Sequence, residues 1–156
     1  MSLNSNSTQI PVTVGQQLPA SPWFVVDQQR INHFADITQD HQFIHIDPER
    51  AKDSAFGSTI AHGFLSLSLL TTLSDGCIPA PEGLVMAINY GFNKVRFINP
   101  VRCDDEIRFC ASVVNIEEQD NNQYLQTLAV TVEIKGEEKP ALVCEWLSLF
   151  VCEAED

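Results

Sequence analysis

At 156 residues, 44% of them hydrophobic, the chain is sized for one compact domain with a substantial core. A formal net charge of −12, with only nine Lys and Arg, argues against nucleic acid or an anionic membrane as a main partner, since both require clustered cations. Acidic runs at Glu117-Glu118, Glu137-Glu138 and the tail Glu153–Asp156 read as solvated loops and a terminus.

The five cysteines, at 77, 103, 110, 144 and 152, are odd in number and show neither a Cys-x-x-Cys pair nor close cysteine–histidine spacing. They are expected to be reduced, mostly buried thiols of a cytoplasmic protein, with no metal site. Met1–Ser7 lacks the basic and apolar regions of a leader, and no apolar run approaches the ~20 residues of a membrane span. A soluble protein is the expectation.

Residues 1–20, rich in Ser, Asn, Gln and Pro, suggest a flexible N-terminal arm, followed by a single domain over 21–152 and an acidic tail over 153–156. Asp27 can cap a helix that places Ile31, Phe34 and Ala35 on one face and ends near Asp36. Asp47-Pro48 repeats the start signal, with proline where its missing N–H costs least, for a short helix through about Asp53.

The segment Ile60–Leu73 is apolar on nearly every side, and its small hydroxyls can bond their own backbone, so it predicts a buried helix closed by Gly76. Beyond Pro81 the period becomes two. Met86, Ile88, Tyr90 and Phe92 alternate, and the phase switch near Gly91-Phe92-Asn93 predicts a bulge in a long strand.

Strands follow over 106–116, with Ile107, Phe109, Ala111 and Val113 on one face, and over 124–134; Gln119–Asn122 is the hairpin turn between them. The last strand, 141–151, is apolar on both faces and should be central or covered on both sides. A nearly all-apolar helix and four long antiparallel strands give an α+β class and one architecture, a curved sheet wrapped around a central buried helix. This is the hot-dog fold.

The stretch Asp40-His41-Gln42-Phe43-Ile44-His45-Ile46-Asp47, joined to Ile60-Ala61-His62-Gly63-Phe64-Leu65, resembles the signature of MaoC-like dehydratases and R-specific enoyl-CoA hydratases. That family reads Asp-x-Asn-Pro-(Ile/Leu/Val)-His-x-Asp, and Gln42 and Phe43 here replace its Asn and Pro. The departure, with Gly91-Phe92-Asn93-Lys94-Val95-Arg96-Phe97, is similar to the nodulation protein N-like branch; the resemblance covers roughly 22–151.

The resemblance implies reversible hydration of a trans-2-enoyl-CoA to an (R)-3-hydroxyacyl-CoA, with Asp40 and His45 as the catalytic pair. Chemically, a carboxylate and an imidazole holding one water can take its proton and supply one at the alpha carbon. The backbone N–H of Gly63, at a helix start and free of any side chain, can receive the thioester oxygen. No cofactor is implied beyond the coenzyme A of the substrate, because the thioester is itself the electron sink.

Ile60, Ala61 and Phe64 are expected to line the substrate site. Thr71, eight residues after Gly63, stands where the family places a hydroxyl near the acid. His62 reads as structural, fixing a loop through hydrogen bonds, and His33 and His41 as exposed. Lys94, Arg96 and Arg102 could meet coenzyme A phosphates or be plain strand-surface charges.

An Asp and a His five residues apart would alone read as a loop cap and a surface histidine; the match around Gly63 is what assigns them. Two alternatives stand beside the hydratase: a thioesterase on the same fold, and a non-catalytic subunit binding an acyl-CoA or acyl-carrier thioester. A homodimer is expected, because a long strand edge would otherwise invite aggregation.

Overall fold

The computed structural model describes residues 10–154. Its sheet has five antiparallel strands, β1 (Phe24–Val25), β2 (Leu84–Phe97), β3 (Glu106–Gln119), β4 (Gln123–Ile134) and β5 (Leu142–Cys152), in the order β1-β3-β4-β5-β2. Strict alternation sets one face inward: Ile107, Phe109, Ala111 and Val113 on β3, Leu128, Val130, Val132 and Ile134 on β4, and Leu142, Cys144 and Trp146 on β5 are all buried. The turn Asp120–Asn122 closes the β3–β4 hairpin with Asn121 and Asn122 in the left-handed region, as its composition predicts.

Five helical segments accompany the sheet: α1 (Gln28–Thr38), α2 (Phe43–Ile46), α3 (Pro48–Lys52), α4 (Gly63–Ser68) and α5 (Leu70–Leu73). Asp27 and Asp47 cap α1 and α3 by accepting from Arg30 N at 2.8 Å and Arg50 N at 3.1 Å. α4 and α5 form nearly one helix, with the backbone bonds Leu69 N to Leu65 O and Leu73 N to Leu69 O running through their junction. Leu65, Leu69, Leu70 and Leu73 join the buried cluster built from β3, β4 and β5. The sheet curls around this helix, which is the hot-dog fold.

Several expectations are corrected. The central helix starts at Gly63 rather than Ile60, because Ile60 is held in a bridge to Arg102 and Ala61 N bonds Val101 O. Nor is it buried on every side: Phe64 is 68% exposed, and Ser68, Thr71 and Thr72 share the open face. The helix is closed by Ser74 rather than Gly76, which lies in the turn that follows at φ +72.

The loose arm expected over 1–20 is, for its described part, bound to the sheet. Val12 and Leu18 are buried, and the backbone bonds Gly15 N to Val113 O and Leu18 N to Ala111 O tie the segment to β3. Two apolar side chains and unpaired strand groups outweigh a polar composition; the remainder of that expectation lies outside the described residues.

β5 is central, between β4 and β2, as its double apolarity requires. β2 carries register shifts at Asn89/Gly91 and Phe92/Lys94, where the sequence changes phase. It is also an edge strand whose Val85, Met86, Ile88, Tyr90 and Phe92 are exposed. Among the described residues no helix is long and apolar enough to cross a membrane.

Candidate active site

Three local features bring the site together. α1 ends at Gln39, whose left-handed φ of 60 turns the chain back and presents Asp40 on an exposed bend. The short turn α2 follows, closed by His45 N to Gln42 O and Asp47 N to Phe43 O, so the substituted Gln42-Phe43 pair keeps a tight connection. Phe43 is covered by the Arg50 guanidinium at 4.3 Å. The third feature is the start of α4, carrying His62 as N-cap and Gly63 as first residue.

His45 is buried, and its Nδ1 lies 2.7 Å from the Ile60 carbonyl. A nitrogen facing a carbonyl must carry the proton, so Nε2 is left with the lone pair. Burial pushes the His45 pKa below its ordinary 6.5, and the nearby His62 pushes the same way; the bond to Ile60 and the charge of Asp40 oppose them. The result is an imidazole ready to accept a proton at neutral pH.

His62 is 3% exposed and stacks on His45, with ring centroids 3.7 Å apart and planes inclined by 22°. Its Nε2 lies 3.0 Å from the Asp40 carbonyl oxygen, matching the loop-fixing role expected of it. One oxygen of Asp40 and one nitrogen of each histidine lie within 4.8 Å of one another. Two groups hydrogen-bonded to one water sit about 4.6 Å apart, so this spacing suits a shared water.

The same three donors fit a metal ion poorly. Rings stacked at 3.7 Å direct their in-plane lone pairs side by side, whereas an ion must lie in both ring planes about 2.0–2.1 Å from each nitrogen.

Gly63, at the first helical position, has no intrahelical acceptor for its N–H. Its surroundings differ from the expectation of open space: a Cβ built there would meet three carbons of the Phe97 ring at 3.0–3.1 Å. Gly63, Ile60, Ala61, Phe97 and Ser66 line a cavity of about 270 Å³. Ile60 and Ala61 thus share that lining with Gly63.

Phe64 instead points outward and meets Phe97 edge-on at 5.8 Å, outside that lining. Thr71 is not brought to Asp40; its hydroxyl bonds Ser68 O, and it lines a separate cavity of about 280 Å³ with Asn89, Trp146 and Ser148. The helix carries it more than two turns beyond Gly63.

His33 and His41 are exposed, His41 beside Asp36 at 2.9 Å. Lys94 and Arg96 stand exposed on β2, and Arg102 is engaged by Phe56 O and Glu137.

Sequence reasoning missed Gln28 and Thr59. Gln28 donates to the His45 carbonyl at 2.7 Å and accepts from the buried Thr59 hydroxyl, pinning α2 from behind. A glutamine in the first turn of a helix carries no signal that separates this role from solvation.

A buried imidazole and a carboxylate beside the N-terminus of the helix that a curved sheet enwraps define an acid–base hot-dog protein. The model of the MaoC like domain matches residues 9–135, and the chain belongs to that family. It is similar to nodulation protein N of Rhizobium leguminosarum bv. viciae, 41% identical over 148 residues and spanning 94% of this chain and 92% of that one.

It is also similar to 3-hydroxyacyl-thioester dehydratase Z of Mycobacterium tuberculosis, 42% identical over 142 residues, 91% of this chain and 93% of that one. Among solved structures, the (R)-hydratase of A. caviae superposes with a TM-score of 0.72 at 25% identity, covering 88% of this chain and 96% of that one. The chain is an enzyme of the hydratase–dehydratase class.

Proposed function

We propose that the protein catalyses the reversible hydration of a trans-2-enoyl thioester, of coenzyme A or an acyl carrier, to the (R)-3-hydroxyacyl thioester. The observation that carries this reading is the buried His45, its Nδ1 held by the Ile60 carbonyl and one of its ring nitrogens within 4.8 Å of an Asp40 oxygen, beside the Gly63 N–H at the start of α4. The similarity to a 3-hydroxyacyl-thioester dehydratase and to an (R)-hydratase supports it.

Asp40 and His45 hold one water. His45 Nε2 removes its proton as the hydroxyl adds to C3, and the electron pair of the double bond moves to the thioester oxygen. Gly63 N–H and the start of α4 receive that developing charge. The imidazolium, held by the Asp40 carboxylate, returns the proton to C2, so one water is added in full.

Ile60 and Ala61 flank the entering acyl group. Phe64 and Thr71 touch the substrate only where it extends beyond the Gly63 cavity. The chain acts as a homodimer joined along β2, whose exposed apolar residues and open strand edge support that assembly. The cytoplasm is the compartment proposed, supported by five cysteines that are all free thiols.

The test is incubation with crotonyl-CoA, following loss of the conjugated enoyl absorbance beside release of free thiol. Hydration without thiol release is the expected result. Thiol release in step with substrate loss would make the protein a thioesterase, and tight acyl-CoA binding with neither reaction would make it a binding subunit.

A further inference from the structure

His62 contacts every part of the proposed machinery and has a chemical feature that packing does not require. As N-cap of α4 its carbonyl accepts from Leu65 N and Ser66 N, so its backbone is fixed at the helix start next to Gly63. Its ring reaches back to the Asp40 carbonyl at 3.0 Å and lies on His45 at 3.7 Å. Phe34 of α1 closes over it at 5.1 Å.

The nitrogen facing a carbonyl carries the proton, so Nε2 is the donor and Nδ1 holds a bare lone pair. That Nδ1 is buried without a hydrogen-bond partner. A residue that only filled this space would have no polar atom to leave unpaired; a phenylalanine would pack as well. The hydrogen bond to Asp40 is the one contact that needs an imidazole here.

We propose that His62 is a positioning residue for the reaction: one ring nitrogen sets the Asp40 backbone, the ring face sets the plane of His45, and the N-cap ties both to the Gly63 N–H. This rests on the hydratase reading above. The titratable groups facing His62 are Asp40, from the bend after α1, and His45 of α2, while α1 presents only the apolar Phe34.

Two substitutions separate the contacts. His62→Phe keeps the ring face and loses the donor, whereas His62→Gln keeps an N–H able to reach the Asp40 carbonyl. Hydration kinetics and an NMR titration of the His45 ring are read on each protein, with its melting temperature.

For folded His62→Phe, kcat should fall roughly 10- to 100-fold with KM changed little, as expected when catalytic groups are displaced rather than binding lost. The His45 titration midpoint should shift from its native value, because the ring stacked on it at 3.7 Å is replaced. His62→Gln should recover part of kcat, and it carries the same test should His62→Phe not fold.

A folded His62→Phe protein with native kcat or a native His45 midpoint overturns the proposal. If the unsubstituted protein hydrates no enoyl thioester, the hydratase reading falls, and the titration alone decides whether His62 positions His45.

Discussion

Replacing Gly63 by alanine separates chemistry from stability, because the structure lets the two effects be sized independently. The added Cβ would lie 3.0–3.1 Å from three carbons of the Phe97 ring, closer than normal contact. Phe97 is 48% exposed, so its ring can swing outward at about 0.5–1.5 kcal/mol for leaving its rotamer. Alanine returns up to about 0.8–1.0 kcal/mol of helix propensity relative to glycine. These terms nearly cancel, so the melting temperature should stay within about 4 °C of native.

Turnover responds differently. The new methyl stands in the lining of the 270 Å³ cavity at Gly63, even where the Phe97 ring has swung outward. Where the methyl keeps the thioester oxygen from the N–H that alanine retains, the lost donation costs about 2.7–4 kcal/mol, or roughly 10²–10³ in kcat. Steady-state hydration of crotonyl-CoA and thermal unfolding, measured on the same sample of Gly63→Ala, provide the comparison. Restoration of activity in Gly63→Ala with Phe97→Ala would place the loss in the ring clash rather than in the methyl. Native turnover in folded Gly63→Ala would refute the reading that the thioester oxygen approaches Gly63 too closely for any side chain.

Three further outcomes follow from the geometry. The folded state holds the His45 pKa below 6.5, so this residue contributes stability present above 6.5 and lost as pH falls through the lowered folded value. Urea midpoints at pH 8 and pH 5 should therefore converge more closely in His45→Gln than in the native protein; an equal loss in both would contradict the buried neutral imidazole. Gln126 is fully buried on β4 with both amide atoms unpaired, so Gln126→Leu should stabilise by about 1–2 kcal/mol and raise the melting temperature by a few degrees; a fall would mean that the amide is bonded in the folded protein. Sedimentation at micromolar concentration should give a dimer, weakened by a charge at Tyr90, which is 63% exposed on β2; a native monomer would contradict assembly along that strand.

The sheet was legible because its strands alternate cleanly, and both capping aspartates declared themselves by the residues after them. β1, with only Phe24 and Val25, is too short for a period to register. The packing of residues 10–20 against β3 was hidden because composition weighs Ser and Gln without seeing that Val12 and Leu18 fall on one apolar surface.

At the site, Asp40, His45 and Gly63 were readable as motif positions. Their spatial links were not: the His45–His62 stack joins residues 17 apart, and the hydrogen bond from His62 to Asp40 spans 22. That Thr71 bonds Ser68 O and lines a cavity with Asn89 and Trp146 was hidden for a related reason, since spacing along a helix does not say which cavity a side chain meets. Phe97 over Gly63 could not be foreseen either, since strand register against a loop leaves no mark in sequence.

The central claim is that Asp40 and His45 act on one water, and single substitution of each tests it most directly. Asp40→Asn and His45→Ala should each lower crotonyl-CoA hydration at least ~100-fold in proteins that remain folded by circular dichroism, as expected for groups acting in proton transfer. Native-like hydration by either folded variant would contradict the account.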